Sequence, residues 1–259
     1  MKYTYILLIS FALIVTSNTA LGQKFVEKPY KEWTKEDVLK LTSDSPWATQ
    51  YQSERGLAAA SMEQQARDQA GTRLTGGDQG NLGRPSVPVP IYIRLFSALP
   101  IRQAMVRQQQ IGIGYDKMSA EDKKKFDDGR AKFLECGICK EYYVVTLTKW
   151  KDTSTAVSQG IFEGIKAEEL KGKIWLVNDK GQKLDFTEFT PPKNATDAAV
   201  FFFKRNDASG STFFSPSDKA VKLVFANELR DDLNAYSGLI PKTIEFKVAK
   251  MVVDGKLVF

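Results

Sequence analysis

From Tyr142 onward, short apolar runs alternate with turn signals, and this pattern constrains the fold more than any other feature of the chain. Strands are predicted at Tyr142–Thr148, Ile174–Val177, Leu184–Phe189, Ala199–Phe203, Val221–Phe225, Ile244–Val253 and Leu257–Phe259. Side chains in a strand alternate between two faces, so runs such as Val221-Lys222-Leu223-Val224-Phe225 suit a half-buried sheet. Asp179-Lys180-Gly181 fits a hairpin turn, and Asp254-Gly255 is the dipeptide that a two-residue type I′ turn prefers. Glu168-Glu169-Leu170 reads as one helical turn leading into a strand. Short strands with turns between them predict a mainly antiparallel β-sandwich over residues 140–259.

The preceding part mixes helix and strand, which makes the whole an α+β chain. In residues 23–53, Thr34 is a good N-cap with Glu36 and Asp37 in the first turn. Val38, Leu39 and Leu41 are expected to face inward, Ser45-Pro46 to end the helix, and Trp47–Ser53 to form a short strand. Residues 91–139 hold an alternating strand, Ile91–Phe96, and then two helices. The first starts near Pro100 and runs over Ile101–Gln110; the second is capped by Ser119 and has Phe126, Phe133 and Leu134 on its apolar face. The strand 91–96 is placed to join the sheet that follows. Between these parts, residues 54–90 are polar, with Gln64-Gln65, Gly76-Gly77 and the spaced Pro85, Pro88 and Pro90. A short helix near Leu57–Ala66 aside, such composition buries too little apolar area to offset chain ordering, and a long flexible loop is expected.

Export is expected from the beginning of the chain. Lys2 precedes an apolar run from Ile6 to Val15, too short to span a bilayer but the length of a signal-peptide core. Ala20-Leu21-Gly22 offers small residues for cleavage before Gln23, giving a signal peptide of residues 1–22 and a periplasmic or secreted product. No Cys follows the run to accept a lipid, and no later stretch is long and apolar enough for a membrane span. The net charge of +6 is spread among acidic residues, as in Lys123-Lys124-Lys125 beside Asp127-Asp128. That is a solvated mixed face with no nucleic-acid footprint, although attraction to anionic envelope polymers stays open.

The chain has no histidine. A Ser-His-Asp triad, a Cys-His dyad, an HExxH zinc site and His-ligated metals are therefore excluded. Chemistry would fall to carboxylates, Lys, Tyr, Ser or the two cysteines, and two carboxylates suffice for a glycosidase. Cys136-Gly137-Ile138-Cys139 is a CxxC, which in an exported protein invites a thiol–disulfide oxidoreductase reading. Its predicted position argues otherwise. Oxidoreductases set the first Cys at a helix N-terminus, where the dipole favours the thiolate; Cys136 follows a helix, beside Glu135 and near Glu141. Two cysteines without histidine also fall short of the four ligands zinc normally takes. A structural disulfide across the helix-to-strand turn remains, worth about 2 kcal/mol for so short a loop.

Other candidates have plainer alternatives. Glu228, Asp231 and Asp232 surround Leu229 and Leu233, as a cation site or, more simply, a solvated helix face. No calcium-loop spacing occurs. The aromatics Phe201-Phe202-Phe203, Phe213-Phe214, Trp150, Trp175 and Tyr142-Tyr143 are core in the ordinary case and a sugar-binding platform in the other. Arg94, Arg102 and Arg107 fall on a strand and the helix after it, as an anion contact or as ordinary ion pairs. Asn194-Ala195-Thr196 matches a glycosylation sequon. No catalytic residue, metal or cofactor is assigned.

Two segments carry a resemblance. Trp33-Thr34 through Val38-Leu39 to Asp44-Ser45-Pro46-Trp47-Ala48, and Tyr92 and Arg94 followed by Ser97-Ala98-Leu99-Pro100-Ile101-Arg102-Gln103-Ala104, resemble a group of secreted proteins of soil bacteria. That group pairs a W-T…D-S-P-W-A segment with a later R-x-x-S-A-x-P-x-R-Q-A segment. It often has Trp after the strand Arg, where this chain has Leu95. The resemblance implies an exported, stand-alone protein and no activity. The expected function is non-enzymatic binding or interaction with an envelope protein or polymer. The alternatives are thiol chemistry at Cys136 and Cys139, a carboxylate-based hydrolase, and a carbohydrate-binding module.

Overall fold

A computed structural model describes residues 28–52, 90–149, 162–194, 197–206, 210–232, 240–253 and 256–258. The signal segment, the 54–89 stretch, Trp150 and the Asp254-Gly255 turn lie outside the described residues. The order begins with a 3-10 turn at Tyr30–Glu32, α1 (Lys35–Ser43), β1 (Asp44–Ser45), β2 (Ala48–Tyr51) and β3 (Ile91–Leu95). Then come α2 (Leu99–Gly112), α3 (Ala120–Glu135), β4 (Tyr142–Lys149), α4 (Ala167–Leu170), β5 (Ile174–Val177), β6 (Lys183–Asp185) and β7 (Glu188–Thr190). The chain continues through β8 (Ala199–Lys204), β9 (Val221–Phe225), α5 (Asn227–Asp232), β10 (Thr243–Phe246), β11 (Val252–Val253) and β12 (Lys256–Leu257).

Two open antiparallel sheets carry the α+β fold. One has six strands in the order β1-β2-β3-β4-β8-β7, the other four in the order β10-β9-β5-β6, and β11 and β12 form a separate pair. The first sheet takes strands from both halves of the chain: β3 pairs with β4 from Ile91↔Lys149 to Leu95↔Val145, and β4 pairs with β8 from Tyr142↔Lys204 to Leu147↔Ala199. This register sets Ile91, Ile93, Leu95, Tyr143, Val145, Leu147, Phe201 and Phe203 on one face. Their side chains join Ile174, Leu176, Val221, Leu223, Phe225 and Phe246 of the second sheet in one core cluster. The dense aromatics Phe201, Phe203 and Phe214 are core.

The opposite face of the six-stranded sheet carries Gln50, Tyr92, Arg94, Thr146, Val144 and Phe202. The helical segments lie over it: Arg94 reaches the α1 carbonyl of Thr42, and the turn after α3 packs Cys136 and Cys139 against Val144, Val200 and Phe202.

Two strands divide where the sequence predicts one. Leu184–Phe189 splits into β6, paired with β5 in the second sheet, and β7, paired with β8 in the first. Phe186, at the crossing, is buried between them. Alternation alone carries no sign of a change of partner. Ile244–Val253 likewise splits, because Val248–Lys250 forms a 3-10 turn between β10 and β11. The expected hairpin turn between β5 and β6 forms around Asn178, whose Oδ1 accepts from Lys180 N at 3.1 Å and Gln182 N at 3.0 Å. Gly181 takes the left-handed φ of 74° that this turn requires.

Candidate ligand cavity

The helices leave a cavity of about 640 Å³ on the outer face of the sheet, between α1, α2 and the strands β2 and β3. Local sequence sets each wall. α1 starts at a reciprocal cap: Thr34 Oγ1 accepts from Asp37 N at 3.2 Å, and Asp37 Oδ2 accepts from Thr34 N at 2.9 Å. The helix then buries Val38, Leu41 and Thr42. Leu39, one residue on from Val38, turns about 100° away from that face. It is 50% exposed at the cavity, which corrects its inward assignment from sequence. α2 begins with Pro100 in its first turn, buries Ile101 and Ala104 in the core, and presents Ile111 to the cavity from its last turn.

Gln50, Tyr92 and Arg94 form the sheet side of the cavity. Arg94 donates from Nε to Thr42 O at 2.7 Å and from Nη1 to Thr148 Oγ1 at 3.0 Å, and its guanidinium carbon lies 4.9 Å from the Tyr92 ring centre. Burial lowers this guanidinium to about 10, so it stays charged at neutral pH. Burial also raises the Tyr92 hydroxyl, against the opposing pull of Arg94. Lys35 adds a second cation to the lining, and no Asp or Glu is found there among the described residues. The walls thus combine apolar side chains with neutral polar ones such as Gln50 and Gln108, and carry positive but no negative charge among the described residues.

The three arginines singled out from sequence have no hydrogen-bond partner in common. Arg102 donates to the carbonyls of Leu134, Phe96 and Ser97 at 3.1, 3.1 and 2.6 Å and to Cys139 Sγ at 3.6 Å. Burial, and then the charge of Arg205, lower it to about 10. Arg107 forms a two-pronged pair with Asp116, 3.0 Å in each prong, and donates to Trp33 O at 2.9 Å. Arg94 alone of the three lines the cavity.

Cys136 and Cys139 form a disulfide with Cα atoms 5.3 Å apart. Cys136 ends α3 in a left-handed conformation, and Cys139 lies in the 3-10 turn before β4, so the pair sits at the C-terminal end of a helix. Both are buried, at 8% and 5% exposure. Glu228 lies on α5 with Leu229 buried beneath it, while the side chains of Asp231 and Asp232 lie outside the described residues. Asn194 Oδ1 accepts from Asp197 N at 3.2 Å; Ala195 and Thr196 of the sequon lie outside the described residues. A second cavity of about 280 Å³, beside Tyr30, Trp33 and Pro100, also shows no carboxylate in its lining. Tyr142 meets Phe202 edge-on at 87°, so these half-buried rings form no flat platform. No group of three metal-ligating side chains occurs among the described residues, and no described helix is long and apolar enough to cross a membrane.

Sequence reasoning missed the cavity as a site. The signal available was Leu39, an apolar residue set off the buried stripe of α1, with Arg94 on an otherwise apolar strand. Comparison with family models, with curated proteins and with solved structures gives no match.

Proposed function

We propose that the chain is an exported, non-enzymatic binding protein whose ligand site is the cavity between α1, α2 and β3. The observation that carries this reading is the lining itself. Leu39 and Ile111 stand on facing helices above Tyr92 and Arg94, and polar side chains such as Gln50 and Gln108 interrupt a lining whose exposed surface is mostly apolar. Small-molecule sites have this composition and fall in this volume range. Export rests on the apolar run at residues 6–15, the small residues before Gln23 and the likeness to secreted proteins of soil bacteria. A disulfide suits an oxidising compartment. The ligand is a small molecule of the envelope or medium, and nucleic acid is not a partner.

The test uses a neutral fluorophore, N-phenyl-1-naphthylamine, which brightens in apolar sites. Saturable brightening with the native chain, abolished by Leu39→Glu at the partly exposed rim, is expected. Brightening that does not saturate, or that Leu39→Glu leaves intact, overturns the cavity as the site. Export is checked by mass spectrometry of the chain recovered outside the cytoplasm, which is expected to begin at Gln23.

A second reading, thiol–disulfide chemistry at Cys136 and Cys139, draws support from the Arg102 contact to Cys139, since a cation beside sulfur favours its thiolate. The low exposure of both cysteines limits access of a protein substrate. A reduction potential below about −300 mV fits a structural disulfide, and one near about −120 to −200 mV fits an oxidoreductase.

A further inference from the structure

We infer that Arg94 is the anchor for an acidic head group, and that the cavity takes a monocarboxylate with an apolar tail. This rests on the binding reading above and names the class of ligand.

The case begins with the cost of the charge. A guanidinium taken out of water is expensive unless it is paired and hydrogen-bonded. Arg94 is half-buried, and its partners are both neutral oxygens, Thr42 O and Thr148 Oγ1. Among the described residues no carboxylate pairs with it. Arginine has five N–H groups in a planar fork. Nε and Nη1 each make one bond, and Nη2 has no partner among the described residues. Thr42 O and Thr148 Oγ1 fix the plane of the fork from two sides, and the Tyr92 ring backs it at 4.9 Å. The remaining donors are therefore held in place before any ligand arrives, which cuts the ordering cost of binding.

The rest of the lining selects the kind of anion. Val38, Leu39 and Ile111 offer hydrocarbon, Gln50 and Gln108 add neutral polar groups, and the volume of about 640 Å³ is far more than a carboxylate alone would fill. A bare inorganic anion would leave those walls uncovered. A cationic ligand meets Arg94 and Lys35 with no described acid to offset them. An acid whose tail lies between α1 and α2 satisfies both parts, with its head on Arg94.

The experiment displaces N-phenyl-1-naphthylamine with octanoate, 1-octanol and octylammonium, which share a tail and differ in head group. A charge-assisted hydrogen bond contributes enough for about a tenfold to hundredfold preference for octanoate over octanol. Octylammonium is expected to be the weakest. Arg94→Gln should remove the preference while leaving octanol affinity within about twofold, the loss being confined to the charged contact. The head-group series on the native chain decides the matter even where this variant folds poorly. Equal displacement by octanoate and octanol, or an octanoate preference that survives Arg94→Gln, overturns the anchor and leaves the cavity as a neutral apolar site. Saturable fluorophore binding that none of the three displaces also overturns the inference. A fluorophore that does not bind at all overturns the cavity reading along with it.

Discussion

Arg102 Nη1 lies 3.6 Å from Cys139 Sγ and donates at the same time to Ser97 O at 2.6 Å and Phe96 O at 3.1 Å. Its Nε donates to Leu134 O, one of the last carbonyls of α3, which has no partner inside its own helix. One buried side chain on α2 thus binds the end of β3, the end of α3 and the disulfide turn. A cation at a helix C-terminus also meets the negative end of the helix dipole.

This contact separates the two cysteines once they are reduced. Cys136 caps the C-terminal end of α3, where the dipole opposes a thiolate, while Cys139 faces the Arg102 cation. Cys139 is expected to be the more acidic thiol. Alkylation by iodoacetamide across a pH series, read by mass spectrometry, should modify Cys139 at lower pH than Cys136. The reverse order would mean that helix-end and burial effects outweigh the guanidinium. Reduction itself should cost about 2 kcal/mol of stability, since the bridge closes a loop of only a few residues.

Ser97, beside the same arginine, is 1% exposed, and its Oγ has no hydrogen-bond partner among the described residues. A buried hydroxyl without a partner carries a desolvation cost of about 1–3 kcal/mol. Its backbone is well used: N donates to Val144 O at 3.3 Å, and O accepts from Arg102. Ser97→Ala keeps those backbone bonds and removes the hydroxyl. It should raise Tm, by about 2–4 °C for each kcal/mol regained in a chain of this size. A fall in Tm by calorimetry would show that the hydroxyl finds a partner in solution.

Asp127 holds α3 to the rest of the molecule. Its carboxylate accepts from Lys31 Nζ at 2.6 Å, from Tyr115 Oη at 2.8 Å and from Gln110 Nε2 at 3.4 Å. Burial pushes the carboxyl up, but the bonds from Lys31 and Tyr115 outweigh it and hold it below its ordinary value of 3.8. A carboxyl depressed in the folded state stabilises above its unfolded pKa and loses that contribution as pH falls through the folded one. Stability should therefore fall as the pH drops towards 3.8 and below, and Asp127→Asn should flatten that part of the profile. At pH 7, Asp127→Ala should cost about 1–3 kcal/mol, because the buried Tyr115 hydroxyl loses its acceptor. Denaturant unfolding across pH measures both.

The elements were legible where the signal is local. Thr34 and Ser119 mark helix starts, and both side chains cap: Thr34 accepts from Asp37 N and Ser119 from Asp122 N. The helix–CxxC–strand order was legible as well, because Ser119, Glu135 and Tyr142 lie in one short stretch. Partner choice was not. Nothing in Leu184-Asp185-Phe186-Thr187-Glu188-Phe189 marks where one sheet is left for the other, since both sheets ask for the same alternation. The cavity was least legible of all, because it joins Leu39, Tyr92, Arg94 and Ile111 from three elements. Sequence spacing sets which side of an element a residue takes, but not the gap that two helices leave over a sheet.

The wall that α1 gives the cavity depends on how that helix starts. Short helices are marginal by themselves, and the first amides of α1 have no partner inside it. Thr34 Oγ1 and Asp37 Oδ2 satisfy two backbone N–H groups reciprocally, with Lys28 Nζ donating to the same carboxylate oxygen at 3.3 Å. Thr34→Ala removes one of these acceptors and should cost about 0.5–2 kcal/mol. Thr34→Ser keeps the oxygen and should cost much less. Hydrogen exchange distinguishes a local effect from a global one. In Thr34→Ala the amides of Asp37 and Val38, which donate to Thr34, should lose protection, while those of Tyr143 and Val145 in the sheet follow only the change in global stability. Since Leu39 and Val38 are less than two turns from the cap, fluorophore affinity at the cavity should weaken in the same variant and recover in Thr34→Ser. Affinity unchanged in Thr34→Ala, at a temperature where the first turn of α1 is open, would show that ligand binding does not draw on this helix.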